Sequence, residues 1–203
     1  MKGLFIVIDG IDGSGKSAIL KLLYNYLSSK NEYRIITTRE PTDGVHGKKI
    51  RAMLKEEKDP DSNKDMLLDL FIKDREYHLK NTVNPFLDSG EDKIVLCDRY
   101  YYSTIAFQSA QGIPTKTLIE KNKDFRKPDL ALILDVSPEI ALERISNRKR
   151  KLEKFEQLKF MENIRSNFLE LNKHLEDNIK IIDSSKDIDE VFKLVKQEID
   201  KLL

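Results

Sequence analysis

The sequence predicts an α/β domain in which a five-stranded parallel sheet carries helices on both faces. Three observations lead there. Five short apolar runs recur along the 203 residues, separated by stretches of helical periodicity. The first run is followed at once by a glycine-rich octapeptide and a helix-like segment, the strand, turn, helix order of a β-α unit. No internal repeat and no low-complexity linker divides the chain, so a single domain over 1–203 is expected.

In order, Leu4–Ile8 reads as the first strand and Lys16–Ser29 as the first helix. Arg34–Thr38 is the second strand, followed by helical patterns over His46–Glu56 and Asn63–Asp88. The third strand is Lys93–Cys97, with Ile94-Val95-Leu96 at its centre, and helices Tyr101–Ser109 and Thr115–Asn122 follow. Asp129–Leu134 is the fourth strand, with helices Pro138–Ser146 and Lys154–Asp177 after it; Asn178–Ile182 is the fifth, and Ile188–Leu203 the last helix. Ligands of open α/β sheets sit beyond the C-terminal ends of the strands, so the residues just after each strand are the candidates for chemistry.

Composition narrows the partners. With 36 basic and 35 acidic residues the net charge is +1, which argues against an electrostatic nucleic-acid or membrane-surface binder. A small anion met locally fits better. One cysteine, Cys97, rules out an intrachain disulfide, and no apolar run approaches the roughly 20 residues of a membrane span. A cytoplasmic protein is expected, with Cys97 as an ordinary buried thiol. Ten of the basic residues are arginines. Arg39, Arg51, Arg75, Arg99, Arg144, Arg148 and Arg150 fall where a planar fork can hold phosphate bidentately, whereas Arg34, Arg126 and Arg165 read as surface charge.

Residues Gly10-Ile11-Asp12-Gly13-Ser14-Gly15-Lys16-Ser17 spell G-x-x-x-x-G-K-[ST] between the first strand and first helix. Successive N–H groups at a helix N-terminus then face the phosphates of a nucleotide, Lys16 reaches the β- and γ-phosphates, and the Ser17 hydroxyl ligates Mg²⁺. The third strand ends in Cys97-Asp98-Arg99-Tyr100, where Asp98 is a candidate for Mg²⁺ and Arg99 for a second phosphate; an Asp98 to Arg99 salt bridge is disfavoured because neighbours on a strand point to opposite sides. The second strand ends in Thr38-Arg39-Glu40-Pro41, which brings another arginine to the same edge. Phe71 and Arg75, four apart, share a helix face. His46, His78 and His174 are too widely spaced for a metal site and take no chemical role.

These motifs together resemble the thymidylate kinase family, P-loop enzymes that phosphorylate dTMP to dTDP with MgATP. The similarity covers nearly the whole chain through Asp12-Gly13 in the P-loop, the T-R-E-P turn at Thr38-Arg39-Glu40-Pro41 and the D-R-[YH] motif at Asp98-Arg99-Tyr100. It implies a P-loop NTPase fold of the nucleoside monophosphate kinase type, with Phe71 stacking on the base and Arg75 reading it. Arg39, Arg51 and Arg99 would hold the acceptor phosphate, Asp12 the sugar 3′-hydroxyl, and Phe107 would crowd a ribose 2′-hydroxyl. Gln108 aligns with a base-contacting position and Asp9 with an acidic residue near the magnesium. A homodimer through sheet-flanking helices is implied, with Asn63–Leu87 as a candidate.

In this family the transition-state arginine sits in the P-loop or in the lid. Asp12, Gly13 and Ser14 hold no cation, so a lid at about 146–153 is expected to supply it from Arg144, Arg148 or Arg150. The acceptor is already an anion, so the mechanism needs no base, only alignment and neutralisation by Lys16, Mg²⁺ and arginines. Two other readings stay open at this stage. A nucleoside kinase would need a carboxylate base near a 5′-hydroxyl, and a P-loop switch would need no second set of arginines.

Overall fold

The computed structural model describes residues 3–56, 63–145 and 151–203, with backbone only over 151–156. Five strands, β1 (Leu4–Asp9), β2 (Arg34–Arg39), β3 (Lys93–Asp98), β4 (Leu130–Asp135) and β5 (Ile179–Asp183), form one parallel sheet in the order β2-β3-β1-β4-β5. The predicted strands are all present, and β1, β2 and β3 run one residue further than their apolar runs, while β4 and β5 both start and end one residue later. Each strand ends on a charged residue: Asp9, Arg39, Asp98, Asp135 and Asp183. The ladder continues where the apolar pattern stops, because an edge that binds ligand keeps its backbone paired while its side chains turn polar.

Alternation along the strands separates two cores. Phe5, Val7, Val95, Cys97, Ala131 and Ile133 face one side, under α5 (Tyr101–Ala110) and α8 (Lys151–His174). Ile6, Ile8, Ile94, Leu96, Leu132 and Leu134 face the other, under α1 (Lys16–Ser29) and α9 (Ile188–Asp200). Sheets covered on both faces have strands that are apolar throughout, which is why the runs are continuous and not alternating. A small third cluster, Ile50 with Leu67 and Leu70, joins α2 (Val45–Glu56) to α3 (Lys64–His78).

The long helix expected over Asn63–Asp88 is three pieces. After α3, residues 79–83 form a π-helical turn before the short α4 (Asn84–Leu87). Pro85 cannot donate a helical hydrogen bond, and the widened turn lets the Asn84 N–H reach the Leu79 carbonyl before the proline starts a new segment. The remaining helices are α6 (Thr115–Asn122) and α7 (Pro138–Ile145); α8 ends at His174, so Asp177, predicted as helical, instead accepts hydrogen bonds from the Tyr101 and Tyr102 hydroxyls. The expected lid at 146–153 lies in large part outside the described residues, Arg148 and Arg150 included.

Candidate active site

The loop from Gly10 to Gly15 wraps the N-terminus of α1, which has no side-chain cap and no acidic residue in its first turn; the Ala18 N–H turns back onto the Gly15 carbonyl (3.1 Å). Gly15, the N-terminal flanking residue, has φ 96° with nothing within 4 Å of where a Cβ would lie. Gly13 is different: at φ 82° its Cβ would come within 2.3 Å of the Ala141 carbonyl oxygen. One glycine serves conformation, the other close packing. Lys16 is buried, and its Nζ donates to the Gly10 and Ile11 carbonyls at 3.1 and 2.9 Å. Burial, helped by the nearby Arg99 guanidinium, lowers its pKa to about 8.

Three cavities meet around this loop. The first, about 400 Å³, is lined by Gly13, Gly15, Lys16, Ser17 and Arg144. The second, about 420 Å³, runs between Phe71, Arg75, Phe107, Gln108 and Pro41 and shares Asp12 and Arg99 with the first. The third, about 520 Å³, is a side cleft holding Arg39, Asp43 and Thr42, and shares Ser17 and Asp98 with the first. A phosphate chain on the loop therefore has an enclosed neighbour in reach through Asp12 and Arg99.

Asp98 brings a buried oxygen, Oδ1, with no hydrogen-bond partner among the described residues, and burial raises its pKa. An orphaned carboxylate oxygen on a residue that lines the first cavity with Ser17 fits a hard divalent cation. Asp9 is arranged otherwise. It is fully buried, and its oxygens accept from the Gly10 N–H (2.8 Å), Ser103 Oγ (2.7 Å), Tyr100 N–H (3.1 Å) and Ser103 N–H (3.0 Å). Those four bonds bind β1, the P-loop and the start of α5 into one unit. The resemblance sets Asp9 near the magnesium; in this structure its two oxygens accept four hydrogen bonds from the fold.

Arg99 adopts a left-handed backbone, φ 71°, which costs a non-glycine residue about 1–3 kcal/mol. It is held there by its N–H on the Ile8 carbonyl (2.9 Å) and by the Cys97 thiol donating to its own carbonyl (3.1 Å). The backbone twist turns the side chain away from Asp98 and onto Asp12 and Ser103 Oγ, the latter at 2.8 Å, so no Asp98 to Arg99 bridge forms. Its guanidinium also lies 5.3 Å from the Phe107 ring centre.

Arg75 is 1% exposed. Its Nε donates to Glu40 Oε2 (2.9 Å), Nη1 to Asn122 Oδ1 (2.5 Å) and Nη2 to Thr104 Oγ1 (3.0 Å), and the guanidinium lies 5.2 Å from the Tyr100 ring centre. Phe71 lines the same cavity a turn away, and Gln108 presents a buried Oε1 without a partner among the described residues. Here the sequence reading missed residues. His78, assigned no role, bonds Glu40 Oε1 through Nδ1 (2.9 Å) and Thr38 Oγ1 through Nε2 (2.7 Å). Asp74 accepts from the Thr42 N–H and hydroxyl, both at 2.7 Å. Asp74, Arg75 and His78 lie within one and a half turns of α3 and together grip residues 38–42; the spacing was visible, but nothing in it named the partner loop.

Arg39 and Arg51 converge, though not on the enclosed cavity. Arg39 Nη2 donates to both oxygens of Asp43 (2.9 and 3.2 Å), and Arg51 Nη2 donates to Asp43 Oδ1 (2.9 Å) while its fork also holds the Pro41 and Thr42 carbonyls (2.8 and 2.7 Å). Arg144 lines the first cavity and donates to the Ser184 and Ser185 carbonyls (2.9 and 3.3 Å). Arg165, read as surface charge, makes a two-pronged pair with Asp135 (2.6 and 2.8 Å).

A family model described as thymidylate kinase matches residues 8–195. Among curated proteins, the probable thymidylate kinase of Archaeoglobus fulgidus is 39% identical over 201 residues, covering 98% of this chain and 96% of its own length. The thymidylate kinase of Leptospira borgpetersenii is 42% identical over 192 residues (94% and 90%), and that of Desulfotalea psychrophila 36% over 202 (99% and 96%).

Proposed function

The chain belongs to the thymidylate kinase family, and we propose that it moves the γ-phosphate of ATP onto dTMP, giving dTDP and ADP, where its first and second cavities meet. The observation that carries this is the shared pair Asp12 and Arg99: a second, mostly apolar cavity adjoins the phosphate loop, which a switch protein holding a single nucleotide has no use for.

In this reading the α1 N-terminus, Lys16 and the Gly10–Ser17 loop hold the donor phosphates, with Arg144 at the adenine side. Phe71 stacks on the acceptor base, Arg75 and Gln108 bond its edge, Phe107 closes the sugar's 2′ side and Asp12 receives the 3′-hydroxyl. Arg99, Arg39 and Arg51 bind the acceptor phosphate and align it. Ser17 and Asp98 hold Mg²⁺, which would neutralise charge on the donor phosphates; no three metal-binding side chains converge among the described residues, consistent with an ion held largely by phosphate and water. Arg148 and Arg150, outside the described residues, supply transition-state charge. Glu40, a carboxylate lining the acceptor cavity, is tied by both oxygens to Arg75 and His78 and so is no free base, which disfavours a nucleoside kinase.

Exposed Met66 and Tyr77, three turns apart on one face of α3, support a homodimer through that helix. A cytoplasmic location rests on the free Cys97. The test of activity is ADP formation from MgATP with dTMP, dUMP, dGMP, dCMP, AMP and thymidine, each beside a no-acceptor control. Strong turnover on dTMP with little on thymidine is expected; turnover on thymidine alone, or independent of any acceptor, would overturn the reading.

A further inference from the structure

We infer that Asp43 is a built-in substitute for the acceptor phosphate, a carboxylate that occupies Arg39 and Arg51 in the empty enzyme and must be displaced before dTMP can use them. The inference rests on the proposed role of these two arginines. One Asp43 oxygen accepts from both guanidinium groups at 2.9 Å, and its second accepts from Arg39 again at 3.2 Å. Each arginine offers the carboxylate one nitrogen, Nη2, a charge-assisted contact that a phosphate oxygen could take in its place. The carboxylate is exposed, 72% by side chain, so it can leave without opening the core. Arg39 and Asp43 both line the side cleft and not the enclosed cavity where the base is read, so the contact holds Arg39 aside. The Arg39 guanidinium beside Asp43 also holds its carboxyl below the usual carboxylate range, so the competing anion is fully charged at neutral pH.

Removing the charge of Asp43 should not scatter the site. Arg51 keeps the Pro41 and Thr42 carbonyls as anchors, and Asp74 still fixes Thr42. What changes is the competition. A nucleoside monophosphate gains by the loss of a rival anion; a nucleoside without phosphate gains nothing. Asp43 thereby weakens the affinity for acceptor and product alike, and favours release of dTDP once transfer is done.

The experiment is calorimetric titration of Asp43→Asn and the parent protein with dTMP, thymidine and inorganic phosphate, without ATP or metal. Exposed ion pairs are worth little, so Asp43→Asn should bind dTMP about two- to five-fold more tightly, with phosphate following the same trend and thymidine unchanged. Equal or weaker dTMP binding would overturn the inference, since it would make Asp43 an organiser of the arginines or a bystander. Arg51→Ala in the same assay tests the underlying reading separately: if the preference for dTMP over thymidine survives it, the arginine does not bind the acceptor phosphate, whatever Asp43 does.

Discussion

The donor half of the site is built from backbone and the acceptor half from paired side chains, and the two therefore meet their ligands differently. Around Gly10–Ser17 the helix N-terminus has no side-chain cap and no acidic residue in its first turn, and Asp98 offers an oxygen unpartnered among the described residues. That half is ready for an anion and a cation. In the acceptor half each arginine already has a carboxylate: Arg75 has Glu40, Arg99 has Asp12, and Arg39 and Arg51 share Asp43. In the proposed reading, phosphate binding to Arg99, Arg39 and Arg51 exchanges one anion for another, whereas the donor phosphates draw Lys16 from the Gly10 and Ile11 carbonyls. Arg75 stands apart from the other three, because its pair with Glu40 is buried and fixes the guanidinium in place.

The comparison breaks most visibly in the lid. If transition-state charge comes from outside both halves, the double variant Arg148→Ala/Arg150→Ala should lower kcat by about 10³-fold or more while dTMP titrates as before. An unchanged kcat would move that charge to Arg99 or Arg39. Next in size is Arg75→Ala. It strands Glu40 in the core with His78 as its remaining partner among the described residues, so unfolding should become easier by about 3–5 kcal/mol and dTMP binding should be lost. Thermal melts and titration read both; a stable protein that merely binds dTMP less well would mean the pair is not structural.

The acceptor cavity's selectivity should be modest by contrast. One methyl group in a fitted pocket is worth about 1–3 kcal/mol, so dUMP should turn over with kcat/KM about 10- to 200-fold below dTMP. Parity would show that the cavity does not touch the methyl. The smallest effect sharpens the donor side. Lys16 must be protonated to attract phosphate, so kcat/KM for ATP should fall as pH rises through about 8, the proton leaving the buried ammonium of the free enzyme. Bound phosphates raise that pKa, so kcat should hold to higher pH. A flat kcat/KM profile to pH 10 would place the donor's charge elsewhere.

How much of this was readable before folding follows the same division. The donor loop is one octapeptide whose glycines, lysine and serine act on ligand through their own backbone or a single side chain, so its spacing carries its chemistry. The acceptor arginines showed as candidate phosphate forks at the strand ends, and the resemblance to a family set their separate roles. Their partners were not recognisable at all: Arg75 meets Glu40, Asn122 and Thr104 across 35, 47 and 29 residues of sequence. His78 looked idle for the same reason, and a sequence does not show how many donors surround the Asp9 carboxylate.

The chain by itself determined the parallel α/β sheet, the positions of its five strands and the phosphate loop, because apolar periodicity and the needs of a tight glycine turn are local properties. Tertiary structure decided which carboxylates are free and which are occupied. That depends on donors brought together from β1, β3, α3, α5 and the 38–43 loop, and only the packed sheet sets them within hydrogen-bond reach.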